Sequence, residues 1–407
     1  MRLLVYEHAS GGGLADGSVP SDVLSEGFGM LRGLLSDFKS AGHSVTTFLN
    51  SRLSAFNPPI AADYVIPIDS LQEAKTSIED VAGSFDGAYI IGPETNHILQ
   101  SIIASAEEAG LKVLNPSASA IDKVANKVKL CQLLTKEGLR TPETAILSFP
   151  EARDIEEPLE INFDFPMVFK PLNGVGCSGL SVVENETEIP RAIAKIKKES
   201  GEKDFMVQEY IQGIPVSVSL ISNGSEALPI SLNKQTLILS GPERSSSYRG
   251  GLVPYDSPLI DEAFKLAKDT VESLRELKGY VGVDLVLTEK SPVVIEVNPR
   301  LTTSYVGLRS TVDFNVGQAI TEAVLQGGLP EDFRFTGYSC FSKVKVASPV
   351  AAVLQNSYGT EEIVSPPFPL GEEKTHALLL CHGSTMIKSI RGLRGAEKCF
   401  LRTFGRN

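Results

Sequence analysis

The sequence predicts an α/β protein, with a parallel sheet in its N-terminal part and mixed α+β structure after it. Short apolar runs alternate with helix-period stripes over the first 115 residues, which is typical of parallel strands connected by helices. Further along, two strand-like runs enclose a glycine-rich turn, and two others end close to residue 300. The length of 407 residues allows several domains, each with its own core.

Composition excludes several classes of protein. The formal net charge of −12 argues against general nucleic-acid binding, although it leaves room for a local basic cleft that binds an anion. The five cysteines form no C-x-x-C pair, so we expect free thiols rather than disulfides or a zinc site. The apolar run at the start is too short for a signal peptide, and no segment approaches a membrane span. We expect a soluble cytoplasmic protein that binds neither nucleic acid nor membranes; the oligomeric state stays open, a homodimer included.

The N-terminal region contains one long helical stripe and five strand-like runs. The stripe runs from Leu24 to Phe38 and repeats its apolar residues at helical spacing. The runs, each bounded by Gly, Pro, Asn or Asp, are Leu3–Tyr6, Val45–Leu49, Tyr64–Ile68, Ala88–Ile91 and Lys112–Leu114.

Two loops of this region contain more glycine and polar residues than a plain connection requires. One spans residues 7–13 and includes Glu7 and Ser10; the other spans residues 92–96 and includes Glu94. In parallel sheets, ligands bind beyond the carboxyl ends of the strands, where both loops lie. Glu7, Ser10 and Glu94 are therefore candidate substrate residues, although tight turns explain the two loops equally well.

The middle of the chain predicts a single helix over residues 121–134, which Gly138 terminates. Lys127 lies on this helix, four residues after Lys123, and such a pair by itself indicates a solvated face. Residues 151–160 are acidic and predict a solvated loop. The elements that we predict after this loop are a strand–turn–strand over Met167–Val183, helices at Ile189–Ser200 and Asp261–Leu277, and strands at Met206–Ile211, Val216–Ile221, Val281–Leu287 and Val293–Val297.

The last segment, from about residue 331, combines short strands with a proline-rich loop and ends with an excess of basic residues. A solvated surface element accounts for this basic end, and contact with an acidic partner or RNA is the alternative.

The strongest chemical signal is the strand-like run that contains Glu296, Asn298 and Arg300. Side chains alternate along a strand, so these three residues share one face. Asp284 lies in the preceding apolar run, and a hairpin brings it beside Glu296. Burying carboxylates is costly unless they are paired or bind a metal. Mg²⁺ and Mn²⁺ prefer a few protein oxygen ligands, with phosphates and water in the remaining coordination positions. Asp284, Glu296 and Asn298 are therefore candidate ligands.

Arg300 adds a cation to that group, placed to meet the charge that develops on a transferring phosphoryl group. The alternative is an internal salt bridge between Arg300 and one of the acids. That alternative leaves the second acid and Asn298 unexplained.

A second signal is the glycine-rich turn that contains Gly174, Gly176 and Ser178. A dinucleotide-binding loop opens a helix, whereas this turn leads into a strand, and no P-loop lysine follows it. A glycine-rich hairpin can instead fold over a triphosphate and offer it backbone N–H groups. Lys170, on the strand that enters the hairpin, would place its ammonium against the phosphates; snorkelling of this lysine to solvent is the alternative.

A third signal is the strand end Gln208-Glu209-Tyr210-Ile211, which runs into Gly213. Backbone groups at such a strand end can bond to the edge of an adenine while apolar side chains cover the ring. Taken alone, this is an ordinary strand end.

In this order, these motifs resemble the ATP-grasp superfamily of carboxylate–amine ligases from about Ser119 to Leu308. The resemblance implies an ATP-grasp fold preceded by a parallel-sheet N-terminal domain, with ATP and Mg²⁺ (or Mn²⁺) as cofactors. The implied domains are 1–118 on the substrate side, 119–205 with a linker helix and small lid, 206–330 with the metal site, and a C-terminal extension at 331–407.

The resemblance also implies residue roles. It assigns Lys127 and Lys170 to the ATP phosphates, the backbone of Glu209 and Ile211 to adenine, and Arg300 to an acyl phosphate. Many members carry a glutamate shortly after the hinge glycine, often assigned to the ribose, whereas this chain has Pro215 in that region.

Less diagnostic features resemble an archaeal branch of the superfamily that joins glutamate to tyramine in methanofuran biosynthesis. They include Glu7, residues 11–13, residues 92–95 and residues 248–251. The resemblance implies small-molecule substrates, an amino acid and an amine, with an amide formed at the glutamate side chain. We expect Arg249 and Gly250 to help bind the amino-acid carboxylate. A different acid–amine pair and a non-catalytic ATP-binding regulatory protein are the alternatives.

Overall fold

The computed structural model describes residues 1–13, 20–148, 163–172, 177–200 and 204–405. Gly174, Gly176 and the predicted acidic loop at 151–160 lie outside these residues. All five cysteines are free thiols. Within the described part of the chain, no helix combines the length and apolarity that a bilayer crossing requires.

The N-terminal module is a four-stranded parallel sheet in the order β3-β2-β1-β4, with helices packed against it. The largely buried strands β1 and β4 form its centre, and α1 covers one face with Leu24, Phe28 and Leu31. The elements are β1 (Arg2–Glu7), α1 (Ser21–Ser40), β2 (Ser44–Asn50), α2 (Ser51–Ser54), β3 (Tyr64–Ile68), α3 (Leu71–Val81), β4 (Gly87–Ile91) and α4 (Ile98–Glu108).

The run Lys112–Leu114, predicted as a fifth strand, forms only an isolated bridge between Val113 and Ala88. The side chain of Asn115 ends the ladder at this point. It accepts from the Ile90 amide at 2.7 Å and donates to the Ile90 carbonyl at 2.8 Å. A side chain thus satisfies the backbone groups that a longer strand would have paired.

The single helix predicted over 121–134 is two helices, α5 (Ala118–Ala125) and α6 (Lys127–Lys136). Asn126 separates them, because its ψ of 101° leaves the helical region and its side chain accepts from the amides of Val128 and Lys129. This is an N-cap. Lys127 therefore lies in the first turn of a new helix.

The small antiparallel sheet has the order β5-β8-β6-β7 and carries one helix on its face. Because β8 pairs with both β5 and β6, this sheet extends through Glu209. The elements are β5 (Thr144–Ser148), β6 (Met167–Pro171), β7 (Ser181–Val183), α7 (Ile189–Ser200) and β8 (Asp204–Glu209).

The large sheet has eight strands in the order β13-β12-β9-β10-β11-β14-β16-β15. Its last three strands come from the C-terminal segment, which is therefore continuous with the sheet that carries Asp284 and Glu296. The elements are β9 (Ile214–Asn223), β10 (Ala227–Ile238), β11 (Ser247–Val253), α8 (Ile260–Ser273), β12 (Lys278–Leu287), β13 (Pro292–Asn298), α9 (Tyr305–Leu308), α10 (Val316–Gln326), β14 (Tyr338–Ala347), α11 (Ala351–Gln355), β15 (Ile363–Ser365), β16 (Lys374–Gly383) and α12 (Met386–Phe404). The basic end of the chain is thus a helix, α12, whose apolar residues pack on β14 and β16.

Helix α1 joins the N-terminal module to the large sheet. Its buried Asp37 accepts hydrogen bonds from Tyr305 and from Arg309 Nε, the latter at 3.0 Å. A Cβ at Gly33 would lie 3.0 Å from the Arg309 side chain, so the glycine permits this close approach. The segment that follows Arg300 is thereby fixed against the N-terminal module.

Candidate active site

One face of the large sheet carries a row of polar side chains, which we call the polar face. Strand register places Glu296 of β13 opposite Asp284 of β12, Asp284 opposite Ser217 of β9, and Ser217 opposite Asn233 of β10. Paired residues project to the same side of a sheet. The row therefore runs across four strands, with Asp284 and Glu296 at one end.

That end, which we call the carboxylate pole, consists of Asp284, Glu296 and Asn298. Asp284 accepts from two amides, Gln235 Nε2 at 3.0 Å and Asn298 Nδ2 at 3.3 Å. Desolvation, followed by the charge of Glu296, raises the pKa of Asp284 to about 7. Amide donors do not balance the negative charge of a carboxylate, so this pole favours a bound cation.

Glu296 faces two lysines from the other side of the cleft. Lys127 Nζ lies 3.6 Å from Glu296 Oε1, and both side chains are largely shielded from solvent. Desolvation opposes ionisation of Glu296, but the charges of Lys127, Lys170 and Arg300 hold its pKa below the usual value. The first turn of α6 and strand β6 thus both direct a cation at the same carboxylate.

Lys170 is buried and does not snorkel to solvent, with only 7% of its surface exposed. Burial and the neighbouring charge of Lys127 lower its pKa to about 8, with Glu296 acting in the opposite direction. Two lysines held close together inside a cleft attract a polyanion, because their positive charges act at the same place.

Arg300 pairs with Glu94 of the N-terminal module. Arg300 Nη2 donates to Glu94 Oε2 at 3.0 Å, and Arg300 Nε lies 3.0 Å from Glu94 Oε1. Arg300 Nη2 also lies 3.4 Å from Asn298 Oδ1. The Arg300–Glu94 ion pair therefore connects the loop at residues 92–96 of the N-terminal module to the carboxylate pole.

Glu7 and Ser10 contact one another instead of opening into the cleft. The buried carboxylate of Glu7 accepts from the amides of Ala9 and Ser10 and from the Ser10 hydroxyl, at 2.6–2.9 Å. A Cβ at Gly27 of α1 would lie 2.4 Å from this carboxylate. These contacts favour the tight-turn interpretation of the loop, in which the Glu7 carboxylate at the end of β1 packs against α1.

The predicted adenine segment connects the small sheet to the large one. Gln208 is buried, and its amide donates to Thr144 at 2.8 Å, which is a contact inside the small sheet. The Glu209 N–H donates to the Glu143 carbonyl at 3.0 Å and is not available to a base. Tyr210 and Ile211 follow β8, in the link to β9.

Of the glycine-rich turn, the described part is the segment from Cys177 onward. The Ser178 hydroxyl lies 3.4 Å from Glu199 Oε2, and the Gly179 amide donates to the same oxygen at 2.6 Å. Ser178 therefore contacts α7. The Cys177 thiol faces the cleft: burial, then the charges of Glu26 and Glu296, raise its pKa to about 11.

A second polar cluster on the polar face was missed by sequence reasoning. Lys343 of β14 forms a close ion pair with Glu26 of α1, and Thr303 donates to the same carboxylate. Lys343 Nζ also lies 5.6 Å from the ring centre of Tyr248. We call Glu26, Lys343, Thr303 and Tyr248 the lysine pole. Its members come from four separate segments, so no local spacing pointed to it.

Arg249 and Gly250, predicted to bind the acid substrate, flank a bulge in β11. The Arg249 side chain is exposed, whereas that of its neighbour Tyr248 turns onto the polar face. Gly250 has a φ of 145°, and a Cβ there would lie 2.0 Å from the Phe341 carbonyl. Gly250 therefore lets β11 and β14 approach closely, which brings Tyr248 and Lys343 together.

The carboxylate pole fits a hard divalent cation by the chemistry of its donors. In the described parts of the chain, no three His, Cys, Asp or Glu residues gather as a metal site. The pole instead offers two carboxylates and one amide, all oxygen donors. Mg²⁺ is usually held by one or two protein carboxylates together with substrate phosphates and water.

Family models and known proteins match most of this chain. Residues 124–304 match the family model of the ATP-grasp domain, and residues 43–121 match that of the pre-ATP-grasp 3 domain. The tyramine–L-glutamate ligases of Methanocaldococcus jannaschii and Methanocaldococcus fervens are similar to the chain at 26% and 28% identity. The first alignment covers 82% of this chain and 91% of the relative, and the second covers 76% and 89%.

The fold is also similar to the crystal structure of an L-amino acid ligase from Bacillus licheniformis. The TM-score is 0.68 at 16% identity, with 98% of this chain and 97% of that chain covered. The predicted fold class is confirmed: an ATP-grasp fold follows a parallel-sheet α/β module. The chain belongs to the ATP-grasp superfamily of carbon–nitrogen ligases.

Proposed function

We propose that this protein joins the side-chain carboxylate of L-glutamate to tyramine, with ATP converted to ADP and phosphate. The observation that carries the proposal is the carboxylate pole, with its two acids and one amide, facing Lys127 and Lys170 across the cleft. The similarity to two tyramine–L-glutamate ligases over most of their length supports this choice of substrates.

The proposed chemistry follows from the weakness of a carboxylate as an electrophile. Transfer of the γ-phosphoryl group to the acid gives an acyl phosphate, which the amine attacks with release of phosphate. Such catalysis is mainly positioning and neutralisation of charge. A divalent cation, when bound, would neutralise phosphate oxygens at Asp284, Glu296 and Asn298.

The chain's own residues have distinct parts in this proposal. Lys127 and Lys170 bind the phosphates, because they supply buried positive charge opposite the pole. Arg300 stabilises the oxyanion of the transferring group, and Glu94 fixes the plane of its guanidinium. The segment from Glu209 to Ile211 supports adenine through the backbone groups that the small sheet leaves available.

The proposal is tested with ATP, Mg²⁺ and a panel of amino acids, using hydroxylamine as the nucleophile. We expect ADP release that depends on glutamate and a trapped γ-glutamyl hydroxamate, and γ-glutamyltyramine when tyramine replaces hydroxylamine. A hydroxamate of another acid, or a preference for another amine, would assign a different ligase reaction. Tight ATP binding with no acid-dependent turnover would instead indicate a regulatory ATP-binding protein.

A further inference from the structure

We propose that the lysine pole is the subsite for an α-amino acid, in which Glu26 binds the α-ammonium group and Lys343 binds the α-carboxylate. This inference rests on the proposed function and adds to it the recognition of the acid substrate. Its consequence is that only a side-chain carboxylate remains to be activated, so the substrate class is the dicarboxylic α-amino acids.

The first argument is the burial of the ion pair. The side chains of Lys343 and Glu26 are 6% and 20% exposed. A shielded ion pair contributes little net stability, because desolvation of both charges offsets their attraction. Contacts other than this ion pair also hold α1 against the C-terminal strands. Gly29 packs against Leu378, and Arg32 donates to the Ile363 carbonyl at 2.8 Å.

The second argument is the path from the lysine pole to the carboxylate pole. The ring of Tyr248 lies beside Lys343, its hydroxyl bonds to Ser304, and Ser304 Oγ lies 3.3 Å from Ser217 Oγ. Ser217 is paired with Asp284 in the sheet. Neighbouring polar side chains therefore connect the lysine pole to the carboxylate pole along the polar face. Charged groups of both poles, Glu26 and Lys343 as well as Asp284 and Glu296, also influence the pKa of the Cys177 thiol.

The third argument is complementarity of charge. An amino-acid zwitterion carries an ammonium and a carboxylate on one carbon, so it can replace each partner of the Glu26–Lys343 pair with an equal charge. Thr303 keeps the second oxygen of Glu26 occupied and orients the carboxylate. The exchange leaves no buried charge unpaired, which is the condition for strong selection against analogues that lack one group.

Two analogues isolate the two contacts. 4-Aminobutyrate is glutamate without the α-carboxylate, and glutarate is glutamate without the α-ammonium group. The measurement is kcat/KM for ADP release with Mg²⁺-ATP and hydroxylamine. For the unmodified protein, we expect glutamate to exceed each analogue on the order of 100-fold.

The variant Lys343→Met should bring the ratio of glutamate to 4-aminobutyrate close to one, and Glu26→Gln should do the same for the ratio of glutamate to glutarate. Lys345→Met, two residues along β14 and exposed, is the matched control and should keep both ratios. Lys343→Met leaves Glu26 without its lysine, and Glu26→Gln leaves Lys343 with Asp22 at 3.9 Å, so the double variant Glu26→Gln/Lys343→Met is made as well. It should fold and lose both preferences.

The outcomes separate this inference from the proposed function. A protein that activates no acid contradicts the proposed function. A protein that activates glutamate, but whose variants keep the unmodified ratios while losing thermal stability, contradicts only the subsite and makes the pair a structural clamp. Activation of carboxylic acids without an α-amino group, at rates equal to that of glutamate, would also overturn the subsite.

Discussion

The two poles of the polar face differ in how their charges are balanced. At the lysine pole, Glu26 and Lys343 form a closed pair: Thr303 also donates to Glu26, and Lys343 Nζ also lies 3.9 Å from Asp22 Oδ2. At the carboxylate pole, the hydrogen bonds to Asp284 that the described residues supply come from the amides of Gln235 and Asn298. Glu26 is thus held in an ion pair before any ligand binds, whereas these hydrogen-bond donors to Asp284 are neutral.

This difference predicts two kinds of ligand binding. A carboxylate whose hydrogen-bond donors are neutral amides, as those of Asp284 are in the described residues, can bind a cation without the loss of a hydrogen-bonded ion pair, so the cation affinity depends directly on the protonation of that carboxylate. A closed pair accepts a ligand only by exchange of partners, so it discriminates by the groups that the ligand carries. The variants below test this contrast, beginning with the largest expected effect.

Glu296→Gln should reduce kcat/KM for ADP release by about 10³-fold, because it removes a metal ligand and leaves the Lys127 and Lys170 charges without their carboxylate. The measurement is steady-state ADP release at several Mg²⁺ concentrations. Glu289→Gln, an exposed position in the turn between β12 and β13, is the control and should behave as the unmodified protein. Loss of activity in both variants would indicate a general effect of charge on the hairpin.

Arg300→Lys should reduce kcat by about 10²-fold with the KM for ATP little changed. Lysine keeps the positive charge but cannot reproduce the two-point contact that Arg300 makes with Glu94. Glu94→Gln should show the same pattern with a smaller loss. An Arg300→Lys variant with full kcat would remove Arg300 from the transition state and leave it as a link between domains.

Acidification should weaken cation binding at the carboxylate pole only. The pKa of Asp284 is raised to about 7, so protons compete with the cation below that pH. With this pKa, the apparent affinity for Mg²⁺ in the presence of a non-hydrolysable ATP analogue should be about 10-fold lower at pH 6 than at pH 8. Asp284→Asn provides the control, because the pH dependence of Mg²⁺ affinity that remains in this variant comes from protonation of the nucleotide. An equal dependence in both proteins would contradict the assignment.

The same contrast explains what could be predicted from sequence. Asp284, Glu296 and Asn298 lie on two strands of one hairpin, so alternation along a strand and pairing across the turn placed them together. Glu26 and Lys343 are 317 residues apart and meet only after α1 packs against the C-terminal strands. Their positions depend on helix packing and on the bulge at Arg249, and neither leaves a local pattern.

Two local interpretations also needed the tertiary structure. Glu7 and Ser10 satisfy each other within a turn, although the sequence showed only that the loop is polar. The helix with Lys127 is interrupted at Asn126, whose capping side chain was hidden inside a continuous apolar stripe. In the helix, the hydrogen bonds from the Asn126 side chain to the backbone overrode the periodicity.

Gln235→Leu should have the smallest effect and acts through Asp284. Gln235 donates to Asp284 Oδ1 at 3.0 Å, and this bond helps to lower the pKa of Asp284. Without this bond, the midpoint of the pH dependence of Mg²⁺ affinity should move upward by about one pH unit. A shift of that size corresponds to the free energy of one hydrogen bond to a charged group. Affinity at pH 8 should fall by less than at pH 6, because about half of the Asp284 carboxyl groups are still ionised at pH 8. Gln318→Leu on α10, whose amide pairs with Glu322, is the control and should leave the midpoint in place. An unchanged midpoint in Gln235→Leu would contradict the assignment of the competing proton to Asp284.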